Sequence, residues 1–319
     1  MPISINRAKH HVETWTKNLA PYSTRANWPS YLFHTCQLEV AVAIIKARKV
    51  ECREDVPNLI CDVANQGALW NNPNAHHYVR LYFRPRNSFH LKTEGVKSRG
   101  DPYRVDPHMS VPIAFAFDFE KVITRPDSGF VPGNFARNLA SPQTGDEYFD
   151  QLDFGLIYHD SAPSRDRMSE IHNWRMSEVV VQKSLSLHDN LACIICRTTH
   201  EERTLRYALG NTHPPKKIIV EQRVSTFFRR GIFIDEIYWH ANEMHMRFHG
   251  PVDCVKDTYE VGLVCMDNSV SRRKQYDLKP GKYRFPDLSA SPNALWRVNI
   301  EGCILYEAPI PSAAGLVGG

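Results

Sequence analysis

No stretch of this 319-residue chain approaches the roughly 18 consecutive apolar residues that a membrane-spanning helix needs. The longest run of that kind, VAVAII, is an amphipathic helix fragment. The first residues, MPISINRAKHHVETW, hold no apolar core of a signal peptide. Eight cysteines in irregular positions make no disulfide framework. Most sit in apolar settings such as LICDV and LACIICR, as buried reduced thiols of a cytoplasmic protein do. Walker sequences are lacking, as is any GxGxxG following a strand, which speaks against P-loop and Rossmann enzymes. Repeats and low-complexity linkers are lacking too. The formal net charge of +4 is too small to indicate a partner by itself.

Enough hydrophobic residues are present, 42%, for a real core, beside an ordinary 23% of charged ones. Residues 1–30 read as a polar lead-in arm. YLFHT (31–35) reads as a short strand, and QLEVAVAIIKARKV (37–50) carries Leu38, Val42 and Ile45 at helical spacing. Residues 51–78 are loop-like and long for a connection, which in a compact domain points to function. VPIAFAFDFEKV, NWRMSEVVVQKSLSL and LACIICR read as strands. THEERTLRYAL reads as a helix opened by Thr199 with Glu202 as its capping partner. From 216 to 311 the chain is strand-like. Strands predominate over a few helices, so the expected class is α+β.

HHYVRLYFRPRNSFH (76–90) raises a specific question. In a strand, Val79, Leu81 and Phe83 would take one face and Arg80, Tyr82, Arg84 and Arg86 the other. Three guanidinium groups and a phenol then line up with no acid among them, and some anion must face them. YLFHT and RMSEVVV add His34 and Glu178, each a polar residue at or near a strand. Singly, each has an ordinary structural reading: a hydrogen-bonded core histidine, a solvated basic face, a strand-start carboxylate. Together, on separate strands joined by long polar loops, they suggest a cleft for a phosphate-bearing ligand held by side chains.

The ordered set FHT, CDVANQGAL (61–69), YVRLYFRPR (78–86), EGV (94–96), VPIAFAFD (111–118), GN (133–134), IYHD (157–160), RMSEV (175–179), CR and EERTLRYAL resembles the DarT family of nucleic-acid ADP-ribosyltransferase toxins. The likeness spans about 31–210, implying an ADP-ribosyltransferase-like split antiparallel sheet there. A strand-rich region, 211–311, follows and need not be a separate domain; residues 312–319 read as a flexible tail. With Arg in YVRLYFRPR and NQGAL upstream, the chain is most similar to the guanosine-modifying branch. The thymidine-modifying branch usually has Pro where Arg80 stands and its key Arg in the preceding loop, whereas residues 54–79 here hold no Arg. Two departures stand out: Ser177 where Ala is common before the Glu, and VPGN in place of a more acidic turn.

The resemblance implies NAD+ as co-substrate, without a metal, and a guanine base of single-stranded DNA as acceptor. RNA guanine and DNA thymine are the alternatives with the same chemistry. Glu178 would stabilise the oxocarbenium-like transition state and act as base, with Arg80 as the second catalytic residue. His34 and Thr35 would bind an NAD ribose. Arg80, Tyr82 and Arg84 would face the diphosphate, and loop 61–69, with Asp62, Asn65, Ala68 and Leu69, would close over the co-substrate. Arg86, Lys92, Arg165, Arg167, Trp174 and Arg175 are candidates for the approach of an unstacked strand, Arg175 being equally a strut near Glu178. A cognate antitoxin is the implied partner. A different class, a non-catalytic nucleic-acid-binding protein on the same scaffold, would be indifferent to Glu178.

Two patterns mimic metal sites. CIIC (193–196) has no second pair nearby, and WHANEMHMRFHG (239–250) lacks the Glu that follows the first His of a zincin helix. The latter alternates as a strand, with Met244, Met246 and Phe248 against His245, Arg247 and His249.

Overall fold

A computed structural model describes residues 1–56, 72–97, 101, 109–137, 141–221, 225–250, 257–267, 270–286, 288 and 294–312. The architecture is α+β and divides into two compact units. The first comprises Met1–Leu91, Ile113–Ile195 and His213–Phe228; the second comprises Lys92–Pro112, Cys196–Thr212 and Arg229–Gly319.

The first unit is built on a seven-stranded sheet. Its strands are β1 (Tyr31–Gln37), β3 (Tyr78–Tyr82), β4 (Pro112–Asp118), β5 (Ser128–Val131), β6 (Glu178–Gln182), β8 (Leu191–Cys196) and β9 (Ile218–Val220). They lie in the order β5-β6-β3-β1-β4-β8-β9. β2 (Lys49–Glu51) and β7 (Ser184–Ser186) form a separate pair. β4, PIAFAFD, is buried on both faces except at its final Asp118, which turns out to cap the next helical turn. β3 alternates as its sequence implies, with Val79 and Leu81 in the core and Arg80 and Tyr82 half-buried on the other face.

Three local expectations change. Residues 1–30 are more than an arm: α1 (Ile5–Leu19) starts on the Ser4 cap and buries Ala8, His11 and Leu19. His11 lies against Phe119 and Phe154 and bonds the Tyr158 hydroxyl at 3.0 Å. The basic strand ends at Tyr82, so Arg84 and Arg86 leave the alternating face. NWRMSEVVVQKSLSL is no single strand. It contains the end of helix α3 (Met168–Trp174, numbering α2 as Leu38–Ala47), then β6, then β7 after Lys183 at φ 60°.

In the second unit, β10 (Phe233–His240), β11 (Glu243–His249) and β14 (Gly281–Phe285) form one sheet. β12 (Tyr259–Asp267), β13 (Val270–Leu278), β15 (Leu295–Ile300) and β16 (Cys303–Pro309) form another. Both contribute to one core around Trp296, Met246, Phe248, Leu263 and Tyr306. Met244, Met246 and Phe248 point into that core and His245, Arg247 and His249 outward, as their alternation implies. α4 (Thr199–Leu209) begins one residue earlier than its sequence suggests: Thr198 is the cap, accepting from the Glu201 N–H. Glu201 is then free to hold the buried Arg197. That arginine also reaches Glu94 and lies 4.0 Å over the Phe233 ring.

Candidate active site

β6 pairs with β3 antiparallel, with Glu178 opposite Tyr82 and Val180 opposite Arg80. Side chains on one face therefore place Arg80 diagonally across from Glu178, within reach of a long side chain. Arg80 uses its fork fully: Nε donates to Oε2 at 2.7 Å and Nη2 to Oε1 at 2.6 Å. Glu178 is fully buried, while a fifth of the Arg80 side chain remains exposed. Burial by itself would weaken the charge on Arg80, but Glu178 outweighs it and the guanidinium is held above its ordinary range. Tyr82 completes the row; burial and the Glu178 charge push its phenol well up, so it stays neutral.

Two supports hold this pair, and neither stood among the expected site residues. Arg80 Nη2 also donates to Asn134 Oδ1 at 3.1 Å. Asn134 follows Gly133, whose φ of +79° suits glycine and whose Cβ, if present, would lie 2.4 Å from Asn173 Oδ1. The Gly133 N–H donates to Ser177 Oγ at 3.0 Å. Ser177 thus fastens the turn that presents Asn134. The signals were visible as the GN pair and as the departure at position 177, without a partner to join them.

His34 stands on β1, whose neighbour in the sheet is β3. Its Nδ1 lies 3.2 Å from the Arg80 carbonyl oxygen. Facing a carbonyl, Nδ1 must carry the proton, and burial lowers the ring's pKa, keeping it neutral. Nε2 is then an acceptor, suited to a ribose hydroxyl. Thr35 is half-buried beside it.

Arg84, expected at the diphosphate, and Arg86, expected along the approach of the DNA strand, both turn inward. Both bind Asp160: Arg84 Nη2 donates to Oδ1 at 2.6 Å and Arg86 Nη2 donates to Oδ2. Arg84 also donates to the carbonyls of Ile157 and His159, and both guanidiniums lie over the Trp28 ring, at 4.7 and 5.4 Å. With side chains 1% and 9% exposed, neither presents a charge to a diphosphate. The anions facing this basic row are internal, Glu178 for Arg80 and Asp160 for the other two.

Arg175 holds the residues on either side of Asp160. It donates from Nε to the His159 carbonyl at 2.8 Å, and from Nη2 to His159 Nδ1 at 2.7 Å and the Ser161 carbonyl at 2.5 Å. The strut reading of Arg175 is the one these bonds support. Arg165 and Arg167 are exposed, Arg167 pairing with Glu170, and Trp174 is half-buried at the end of α3. Lys92 is exposed in the second unit. Asp62, Asn65, Ala68 and Leu69 lie outside the described residues.

A family model described as "ssDNA thymidine ADP-ribosyltransferase, DarT" matches residues 53–228, more than half of the chain. The chain belongs to the DarT family. It is accordingly an NAD-dependent ADP-ribosyltransferase acting on bases of single-stranded DNA. Among solved structures, Thermus sp. 2.9 DarT in complex with NAD+ is similar at 15% identity and a TM-score of 0.48, over 63% of this chain and 98% of that one. The same protein in complex with ADP-ribosylated ssDNA is similar at 14% identity and a TM-score of 0.49, over 63% and 97%. No curated protein matches. The DarT match ends at residue 228, before β10 begins. Among the described residues, no helix is long and apolar enough to cross a membrane.

Proposed function

We propose that this DarT protein transfers ADP-ribose from NAD+ to guanine in single-stranded DNA, with Glu178 as the catalytic carboxylate and Arg80 as its partner. The observation that carries the reading is the buried Glu178 carboxylate gripped at both oxygens by Arg80. In the reaction the bond between ribose C1′ and the nicotinamide nitrogen breaks, and its electron pair leaves with nicotinamide. Positive charge develops on the ribose, and a fixed carboxylate in a dry site stabilises it at little reorganisation cost. The guanine amine then bonds C1′, and its proton passes to Glu178.

His34 Nε2 accepts from a ribose hydroxyl, with Thr35 beside it. Arg80, a fifth exposed, is the guanidinium of the three left to meet the diphosphate. Asp62, Asn65, Ala68 and Leu69 remain the proposed closure over NAD, and Arg165, Arg167, Trp174 and Lys92 the proposed strand contacts. Guanine is favoured by the placement of the key Arg on β3 and by the absence of any Arg from residues 54–79. Thymine is the second reading, favoured by the thymidine named in the family description. Transfer of this kind is damaging, so the protein acts in the cytoplasm as a toxin checked by an antitoxin, in a toxin–antitoxin or phage-defence setting.

Mass spectrometry of DNA and RNA oligonucleotides of varied base content, incubated with NAD and either wild-type or Glu178→Ala protein, tests this. An adduct on DNA guanine, absent with the variant, is the expected result. An adduct on thymine alone, or on RNA alone, changes the acceptor, and no adduct on any oligonucleotide removes the reading.

A further inference from the structure

The strands beyond the DarT match carry a segregated charge. Residues 229–319 contain eleven Lys and Arg and eleven Asp and Glu, yet residues 270–285 hold six of those cations and a single acid, Asp277. This stretch is β13, a two-residue connection and β14, the two strands lying in different sheets. Arg273, Lys279, Lys282 and Arg284 are exposed there, with no side-chain ion-pair partner among the described residues.

Beside this stretch, the middle strand β12 carries Gly262, between Gln275 of β13 and Asn299 of β15. Two residues on, Val264 lies between Arg273 and Arg297 on the same face. A Cβ on Gly262 would meet only Asn299, at 3.8 Å, so neither packing nor a positive φ demands glycine here. Glycine inside a strand costs stability, and it often marks a close approach of a ligand to the backbone. The space above it is a groove of about 390 Å³ lined by Glu260, Val264, Arg273, Arg297, Asn299 and Ile304. Glu307 neutralises Arg297, whereas Arg273 has no ion-pair partner among the described residues.

We infer that this groove binds one nucleotide of the single-stranded DNA on which the enzyme acts, with the base flat over the Gly262 peptide and its phosphate at Arg273. The lack of a side chain at 262 leaves room for a planar ring beside the Asn299 amide. The amides of Asn299 and Gln275 each offer donors and an acceptor for a base edge. A lone guanidinium suits a phosphate, and the cations of β13 and β14 supply sites for further phosphates. Glu260 lines the groove as well and repels a phosphate from its neighbourhood, which gives the bound strand a direction. Such a site raises affinity for the strand without touching the chemistry. The choice of DNA as occupant rests on the transferase reading.

The test uses the full-length protein with Gly262→Val and, separately, Arg273→Glu. The valine Cβ meets Asn299 at ordinary van der Waals distance and valine favours a strand, and Arg273 is exposed, so one variant covers the other should either fail to fold. Binding of a labelled oligonucleotide of about twenty nucleotides, long enough for more than one contact, is followed by fluorescence anisotropy. Each variant is expected to weaken binding and raise the oligonucleotide KM roughly tenfold, the scale of one lost base stack, with kcat and the NAD KM unchanged. Folded variants with unchanged anisotropy and unchanged KM overturn the inference. Adduct formation by the wild-type protein is scored separately, so failure of the groove and failure of the transferase reading give different results.

Discussion

Arg80 and Glu178 are diagonal neighbours across an antiparallel strand pair, two residues out of register, and the arginine spans the offset with the Nε and Nη2 donors of one edge. A direct cross-strand pair would bring the backbones' own spacing to bear. The diagonal leaves Tyr82 opposite the carboxylate and Val180 opposite the guanidinium, so one side of the ion pair is walled by a ring and the other by an aliphatic chain.

Removing Arg80 strands a buried carboxylate. Arg80→Ala is expected to lower folding stability by about 3–5 kcal/mol and to abolish transfer. Glu178→Gln keeps the shape and leaves Arg80 its partial exposure, so it should abolish transfer at a smaller stability cost. Denaturant unfolding beside an adduct assay separates the two; equal stability losses would contradict the asymmetry of burial.

Asp160 is expected to matter for folding rather than for NAD. Asp160→Ala leaves Arg84 and Arg86 facing one another without their shared anion, and a loss of about 3–5 kcal/mol is expected. Arg86→Lys, by contrast, should leave the KM for NAD unchanged, since its charge is spent on Asp160. A several-fold rise in that KM would instead place Arg86 at the co-substrate site.

Ser177→Ala removes the acceptor for a buried backbone N–H. The expected cost is about 1–3 kcal/mol, the penalty of leaving that donor unsatisfied, with a fall in kcat because the turn presenting Asn134 to Arg80 loosens. Asn134→Ala should lower kcat with little change in stability. Unchanged kcat in both variants would make the turn purely structural.

Stability should fall in acid below neutrality. His11 is held at about 3 by burial, aided by Arg7 and His10, and His90 at about 4 by burial. Their folded values lie below the unfolded value of about 6.5, so the unfolded chain takes up protons first. The contribution of His11 is complete above about pH 6.5, and about 2 kcal/mol of it is gone by pH 5. Melting temperature against pH measures this, and His11→Phe should flatten the profile between pH 7 and 5. An unchanged slope in that variant would locate the acid sensitivity elsewhere.

The sequence alone determined the elements that local pattern controls: the β3 alternation, the two-sided apolar β4, the Met–His alternation of β11 and the α2 helix. It also singled out His34, Arg80 and Glu178 by residue type, three residues that the fold sets on adjacent strands. Cap position escaped it by one residue, because Thr198 and Thr199 are chemically equivalent caps and only the backbone path chooses between them. Tertiary structure decided which charges are spent. Arg80, Arg84 and Arg86 look alike along the chain, yet their fates depend on Glu178, 98 residues from Arg80, and on Asp160, 74 residues from Arg86. A guanidinium's role is set by the anion it meets and the water it loses, and both come from strands and turns that are distant in sequence and adjacent only after folding.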